Sequence, residues 1–182
     1  MKINIRRSIP NDVYSIRKVQ QETWLRTYPN KKEGITVKDV EEKFKVDLTA
    51  VGKRKIEERK KIYEDKKVNT WVAEIENEII GFCMAIKEEQ NNRIGAIYVS
   101  PNHQGKGLGK KLMKKALSWL GDKKNIFINV AKYNNQAINF YKKFGFFKTG
   151  ESGILDRAAK LPSGKFIPEI ELLRSISIKN EC

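Results

Sequence analysis

The sequence is poor in the residues that stabilise small secreted domains or hold metals. Its 182 residues include two cysteines and one histidine, which argues against a disulfide framework and leaves no cluster of metal ligands. Long apolar runs are also missing, since no stretch approaches the roughly 20 residues that cross a bilayer. The opening residues MKINIRR are too polar for a secretory signal. These absences predict a cytoplasmic protein without a bound metal and without a membrane partner.

Acidic residues are scarce relative to basic ones. The 22 Asp and Glu residues against 37 Lys and Arg residues give a net charge of +15, enough to attract nucleic acid or another anionic surface. Most of the excess is lysine in short pairs along predicted helices, and no nucleic-acid-binding motif accompanies it. We interpret it as a solvated, lysine-rich surface and expect no specific nucleic-acid partner. A basic nucleic-acid-binding protein remains an alternative.

The most informative stretch is residues 93–111, RIGAIYVSPNHQGKGLGKK. An apolar run ends at Ser100-Pro101, three glycines follow at alternating positions, and an amphipathic helix then begins, so the order is strand, glycine loop, helix. Glycine lets backbone N–H groups approach a ligand, and a helix N-terminus adds unpaired donors and a partial positive charge. The stretch therefore suits an anion such as a pyrophosphate.

Two common phosphate sites do not fit this stretch. A triphosphatase loop needs Gly, four residues, Gly, Lys and then Ser or Thr, and that frame fails from Gly105. A dinucleotide fold needs G-x-G-x-x-G and an acidic residue about 20 positions later. Position 110 is Lys, and Ile126–Val130 offers no acid.

The remaining pattern occurs in two parts. Gln104-x-x-Gly107-x-Gly109, directly after Val99-x-Pro101, resembles the acetyl-CoA loop of the GNAT superfamily of N-acetyltransferases. Asn134-x-x-Ala137-x-x-Phe140-Tyr141-x-Lys143-x-Gly145-Phe146 resembles the second cofactor segment of that family. The resemblance implies an α/β protein with the GNAT fold, a mixed, largely antiparallel central sheet of about seven strands with helices on both faces.

The same resemblance implies acetyl-CoA as the cofactor and a set of residues that bind it. The pyrophosphate would be held by backbone N–H groups of the loop, and the pantetheine by a strand edge. These residues are Gln104, Gly105, Lys106, Gly107, Leu108, Gly109 and Lys110 in the loop, Ile97, Tyr98 and Val99 at the strand edge, and Asn134, Ala137, Tyr141 and Lys143 in the second segment. Lys106, Lys110 and Lys143 are candidates for phosphate contacts. Asn134 has the alternative role of a helix cap.

The chemistry implied is direct transfer of an acetyl group to a primary amine, on a small molecule or a peptide. Tyr141 stands at the family's tyrosine position, and a phenol of pKa about 10 can protonate the departing thiolate. No base can be assigned, because residues 93–99 contain no Glu. The acids that stay open are Glu22, Glu88, Glu89, Glu151 and Asp156, and a water relay is also compatible. We expect His103 to be a loop residue without a catalytic role.

The acceptor side is less defined by sequence. A helix is predicted over residues 10–27 and ends at Tyr28-Pro29. The resemblance implies that this helix and its exit flank the acceptor pocket, so Trp24 and Tyr28 are candidate walls of it, although Trp24 has the alternative of a plain core residue. Residues 30–67 are expected to form an extended helical segment, interrupted at Gly52, that covers this side of a single domain spanning 1–182. A CoA-binding regulatory module without turnover remains a second alternative, and a homodimer is left open.

The other elements follow from periodicity. Alternating apolar residues predict strands, and apolar residues at spacings of three and four predict helices. The predicted strands are 2–7, 69–76, 79–88, 126–130, 146–150 and 166–175, with a bulge or close approach at Gly81. The predicted helices include one that begins at a capping box, Thr36-x-x-Asp39, the helix after Gly107 and the helix 135–144.

Overall fold

The computed structural model describes residues 3–149 and 159–176. Within them the helices are α1 (Val13–Thr27), α2 (Val37–Lys45), α3 (Ala50–Lys60), α4 (Leu108–Leu120) and α5 (Asn135–Lys142). The strands are β1 (Asn4–Arg7), β2 (Val68–Ile75), β3 (Glu78–Lys87), β4 (Asn92–Val99), β5 (Ile126–Ala131), β6 (Phe147–Lys148), β7 (Ala159–Lys160), β8 (Phe166–Ile167) and β9 (Glu169–Arg174). No helix in these two ranges combines the length and hydrophobicity needed to span a bilayer.

The described residues form one seven-stranded sheet in the order β1-β2-β3-β4-β5-β9-β6 and a separate β7-β8 hairpin. Every pair in the large sheet is antiparallel except β4 and β5, which run parallel. The predicted mixed, largely antiparallel sheet of about seven strands is therefore confirmed.

Helices cover both faces of the sheet. On one face, Leu108, Leu112, Ala116 and Leu120 of α4 recur every four residues and pack with Tyr141 of α5 in the largest apolar cluster. On the other face, α1 and α2 bury a second cluster around Trp24, Tyr28, Val40 and Phe44. Strand alternation divides β5 between the faces, with Ile128 and Val130 in the first cluster and Ala131 in the second.

The helical segment between Thr36 and Tyr63 differs from prediction at one point. The capping box at Thr36 is confirmed, because the Thr36 N–H donates to Asp39 Oδ2 at 2.8 Å and the Asp39 N–H donates to Thr36 Oγ1 at 3.1 Å. The predicted interruption at Gly52 is wrong. The chain breaks earlier, at the 3-10 turn Val46–Leu48, and Gly52 lies inside α3, where its N–H donates to the capping Thr49 Oγ1 at 3.0 Å.

The predicted hairpin 69–76 and 79–88 is confirmed as β2 and β3. Ala73 pairs with Gly81 and Glu74 with Ile79, so the extra residue of the bulge is Ile80, next to the predicted glycine. The close approach at Gly81 is confirmed, since a Cβ there would lie 3.1 Å from the Tyr98 carbonyl oxygen.

The last predicted strand, 166–175, is two strands. Pro168 separates β8 from β9, because proline lacks the N–H that a continuous ladder needs. β8 then pairs with β7, while β9 inserts between β5 and β6. Of the predicted strand 146–150, residues 147–148 are in β6 and Gly150 lies outside the described residues.

Candidate active site

The central feature is the place where the sheet parts. The parallel strands β4 and β5 pair only at Asn92 with Ile126 and at Arg93 with Phe127. Beyond these residues β4 stays paired with β3, and β5 stays paired with β9. A groove therefore opens between the two strands, and one edge of it is the unpaired side of β4. The predicted strand edge, residues 97–99, lies at this open end.

The glycine loop leads from this edge into α4. Gly105 and Gly107 have φ of +77° and +75°, the left-handed region that favours glycine. Gly107 is the N-cap of α4 and offers no side-chain acceptor, and the first helical bond runs from the Lys111 N–H to the Gly107 carbonyl at 3.1 Å. The N–H groups of residues 108–110 thus have no partner within the helix. Three donors and the positive end of a 13-residue helix lie together at this end of the groove.

One hydrogen bond and one close packing contact hold the loop in place. Gln104 Nε2 donates to the carbonyl oxygen of Val99 at 3.0 Å, which ties the loop to the end of β4. A Cβ at Gly109 would lie 3.4 Å from the Phe140 ring, so glycine here lets α4 and α5 pack closely. The predicted phosphate-contacting lysines, Lys106, Lys110 and Lys143, are all exposed.

The second predicted segment is α5 and the turn before it. Asn134 Oδ1 accepts from the Ala137 N–H at 3.0 Å, so Asn134 caps α5. Within the described ranges its Nδ2 donates no hydrogen bond and is free for a ligand. Tyr141 is 6% exposed, and its ring makes edge contacts with Phe140 and Phe146. Burial raises the pKa of Tyr141, and neighbouring Tyr98 and Cys83 raise it further.

Three more tyrosines lie around the groove. The hydroxyls of Tyr28 and Tyr98 are hydrogen-bonded at 3.2 Å, and the Tyr133 hydroxyl donates to the Tyr28 carbonyl at 2.9 Å. Burial raises the pKa of Tyr28 and of Tyr98, and it raises the pKa of Tyr133 to about 12. The pKa of Tyr28 also responds to Tyr141. Neutral hydroxyl groups from both faces of the sheet therefore lie near the parting strands.

The acceptor side combines an aromatic cluster with positive charge. Trp24 is 6% exposed and makes edge contacts with Tyr28 and Phe44 at 4.6 and 5.7 Å between ring centroids. Its buried Nε1 has no hydrogen-bond partner in the described structure. The Lys43 ammonium lies 5.2 Å from the Trp24 ring, and burial, followed by repulsion from Arg17 and Arg59, lowers the pKa of Lys43.

Sequence reasoning missed one acid in this region. Glu169, the first residue of β9, pairs with Ala131 at the end of β5 and is half-buried. Burial raises the pKa of Glu169 to about 7, although a hydrogen bond with Asn129 acts in the opposite direction. The alternation Glu169-Ile170-Glu171-Leu172 could have indicated it. Side chains on a strand alternate between faces, so core residues at 170 and 172 place both acids on the opposite face.

Of the acids that the sequence left open as bases, those in the described residues accept a hydrogen bond or lie at the other end of β4. Glu22 Oε2 accepts from the Ser100 hydroxyl at 3.0 Å. Glu88 and Glu89 precede β4 at the end where it is still paired with β5, and their carbonyl oxygens accept from Lys124. Glu151 and Asp156 lie outside the described residues.

His103 is in the short turn before the glycine loop, and its buried Nδ1 has no hydrogen-bond partner in residues 3–149 and 159–176. In the same two ranges, no three His, Cys, Asp or Glu side chains are grouped so that they could bind a metal ion.

A parted sheet, a glycine loop and a helix N-terminus occur together in a known class of proteins, the acetyltransferases. The chain belongs to the acetyltransferase (GNAT) family, which matches residues 36–146. Among solved structures, the PaiA N-acetyltransferase from Thermoplasma acidophilum in complex with coenzyme A has the same fold. It aligns over 96% of this chain and 99% of that chain, with a TM-score of 0.72 and 18% identity.

Two curated relatives are similar over part of their length. The peptidyl-lysine N-acetyltransferase YjaB of Salmonella typhimurium is 34% identical over 93 residues, which cover 50% of this chain and 59% of that protein. The spermine/spermidine N(1)-acetyltransferase of Bacillus subtilis is 31% identical over 87 residues, which cover 42% of this chain and 57% of that protein. The chain thus spans about three fifths of the length of the curated relatives it matches.

Proposed function

We propose that this protein is an acetyl-CoA-dependent N-acetyltransferase that acetylates a primary amine by direct transfer. The observation that carries the proposal is the set of free N–H groups at residues 108–110, at the N-terminus of α4 and beside the groove between β4 and β5. A helix N-terminus with free donors is suited to a diphosphate. The unpaired edge of β4 is suited to amide groups that pair like an added strand.

The residues present fit acetyl-CoA. Backbone N–H groups of residues 104–110 would hold its diphosphate, residues 97–99 its pantetheine, and Asn134 Nδ2 and the Ala137 region the adjoining part of the same arm. Lys106, Lys110 and Lys143 are exposed where they could meet phosphate groups. When bound, acetyl-CoA supplies the acetyl group as a thioester.

Tyr141 is the proposed general acid. Its raised pKa keeps the phenol protonated at neutral pH, so it has a proton to give to the sulfur as the C–S bond breaks. Its electrostatic coupling to Tyr98 on β4, which borders the groove, and to Cys83 on the neighbouring β3 supports a hydroxyl directed toward the parted strands. Burial of the ring excludes water from the same place.

The acceptor is proposed to be an amine of low positive charge, such as a lysine or N-terminus in a peptide with acidic neighbours. Arg17 is paired with Asp47, whereas neither Lys43 nor Arg59 has a carboxylate within 4 Å in the described structure. Lys43 lies over the Trp24 ring, beside the proposed pocket walls Trp24 and Tyr28. A polyamine would meet repulsion there. The segment 30–67, which carries these cations, is the proposed cover of the acceptor side.

Two measurements test the proposal. Isothermal titration calorimetry should detect acetyl-CoA binding, and free-thiol release should identify an acceptor in a panel of spermidine, amino sugars, amino acids and peptides. A matched pair of lysine peptides, one with flanking Asp and one with flanking Lys, tests the charge argument, and we expect the acidic peptide to react faster. Absence of acetyl-CoA binding, or binding without transfer to any amine, would overturn the assignment, and the second result would favour a regulatory module.

A further inference from the structure

Glu169 occupies a defined position next to the groove. It pairs with Ala131, the last residue of β5, so the two side chains lie on the same face of the sheet. Ala131 packs in the cluster that contains Trp24 and Tyr28. The Glu169 carboxylate is therefore on the acceptor face, one strand away from the opening between β4 and β5.

Three tyrosines on separate elements are electrostatically coupled to Glu169. Its charge raises the pKa of Tyr28 at the end of α1, of Tyr98 in β4 and of Tyr133 after β5, so the carboxylate is within electrostatic reach of all three. Two of these tyrosines are also coupled to Tyr141, because Tyr141 raises the pKa of Tyr28 and Tyr98 raises the pKa of Tyr141. The carboxylate and the proposed general acid are thus coupled electrostatically to the same pair of tyrosines.

Asn129 is a polar neighbour of Glu169 on the same face. It lies two residues before Ala131 on β5, and its side chain acts to lower the pKa of Glu169 against the effect of burial. Its Oδ1 accepts from Arg93 at 3.4 Å, which leaves its Nδ2 as a donor. In the described ranges Glu169 has no Lys or Arg within 4 Å, unlike Glu171, which is 3.5 Å from Arg93.

We propose that Glu169 is the general base that takes the proton from the acceptor's ammonium group. The inference rests on the proposed acetyltransferase function and concerns the step that an amine of pKa about 10.5 requires before it can attack. An N–H bond breaks, an O–H bond forms on the Glu169 carboxylate, and nitrogen keeps the electron pair that forms the C–N bond. The C–S bond of the thioester breaks with its electron pair on sulfur, and Tyr141 gives that sulfur a proton. Nitrogen loses a second proton as the amide forms, which restores the proton on Tyr141, so the net release is the one proton taken by Glu169.

Among the residues that the structure describes, the other candidate acids are engaged elsewhere. Glu22 accepts from Ser100, Glu88 lies 3.7 Å from Arg93 at the paired end of β4, and residues 93–99 contain no acid. A base works best when its pKa is near the working pH. The burial that raises the pKa of Glu169 to about 7 therefore suits the step.

The pH dependence follows from the groups that face Glu169. These are Tyr28 from α1, Tyr98 from β4, Tyr133 from the turn after β5, Glu33 paired with Lys132 beside Tyr133, and Arg93 and Glu171 behind Asn129. The tyrosines stay neutral near pH 7, because their pKa values are raised. Titration of Glu169 itself should therefore set the acidic limb of kcat/KM, with activity lost as the pH falls below about 7.

The first test compares Glu169→Gln with Glu171→Gln, a matched change two residues along the same strand and face. At pH 7 we expect Glu169→Gln to lower kcat/KM by about 10²- to 10⁴-fold with acetyl-CoA affinity unchanged. Its activity should rise with pH toward the amine pKa of about 10.5, where the acceptor loses its proton unaided. Glu171→Gln should stay within about threefold of wild type and keep the acidic limb. A Glu169→Gln enzyme that keeps the wild-type limb overturns the proposal.

The second test needs no acceptor. In the protein without ligand, the ¹³C chemical shift of the Glu169 carboxyl should titrate near pH 7, and titration near an ordinary Glu pKa of about 4.3 would overturn the proposal. A wild-type protein that neither binds acetyl-CoA nor transfers acetyl groups overturns the acetyltransferase function itself. An active wild type with an unaltered Glu169→Gln profile overturns only the role of Glu169.

Discussion

Charge reversal at Lys110 should affect protein stability and acetyl-CoA binding in opposite directions, because both depend on the positive N-terminus of α4. Lys110 is the third residue of the helix and is exposed. A glutamate there would face the positive end of the helix dipole and stabilise the fold by about 0.3–1 kcal/mol. The same glutamate would repel a diphosphate bound to the free N–H groups. Lys110→Glu should therefore raise stability while it weakens acetyl-CoA binding, two effects of opposite sign.

The size of the binding effect follows from Coulomb's law. A pair of unit charges about 4 Å apart in water interacts by about 1 kcal/mol, and the substitution changes the charge by two units. Salt and solvent reduce this sum, so we expect a loss of about 1–2 kcal/mol, or about 5- to 30-fold in Kd. The gain in stability should raise Tm by about 1–4 °C. Calorimetric titration with acetyl-CoA and thermal unfolding measure the two quantities.

Lys114→Glu is the matched control. Lys114 is exposed on the same helix, one turn further along, where the dipole effect has largely disappeared. This variant has the same net charge as Lys110→Glu, so any general effect of charge on an anionic ligand is equal in the two. Equal acetyl-CoA affinities for the two variants would refute the placement of the diphosphate at residues 108–110. The difference between them should also shrink as salt is raised.

Three further outcomes are expected. Tyr141→Phe should lower kcat about 100-fold or more while acetyl-CoA affinity is unchanged. Tyr14→Phe, at an exposed tyrosine that is hydrogen-bonded to Glu57, is the control that keeps its rate, and equal rates for the two variants would contradict the role of Tyr141 as general acid. Burial acts to raise the pKa of Asp12, but hydrogen bonds from Arg6 and the Ile9 N–H hold it below its ordinary value. The stability from Asp12 is therefore present above pH about 3.9 and lost as the pH falls through the folded pKa. Asp12→Asn should cost about 1–3 kcal/mol at pH 7 and flatten the acid limb of denaturant unfolding. Burial raises the pKa of the Cys83 thiol, so mass spectrometry should find it unlabelled by a disulfide reagent until the protein unfolds.

The elements with strong local signals were predicted from sequence. The Thr36 capping box, the glycine loop before α4 and the α4 stripe of Leu108, Leu112, Ala116 and Leu120 depend on residues close together in the chain, and the structure has all of them. Gly52 was misread because a glycine disfavours a helix interior but is tolerated in a first turn capped by Thr49. Pro168 was present in the sequence, yet its division of the last strand depends on which neighbours each half pairs with.

The sequence by itself determined the strand-loop-helix unit, because glycine spacing and helical periodicity are local properties of the chain. Its two motifs also carried the resemblance that implied the family and Tyr141 as the candidate acid. Only the tertiary structure brought Glu169 beside Tyr28, Tyr98 and Tyr133. Glu169 is separated from these tyrosines by 36 to 141 positions, and their proximity depends on the pairing of β9 with β5 and on the parting of β5 from β4. The raised pKa of Glu169 likewise comes from burial among elements that sequence alone does not place together.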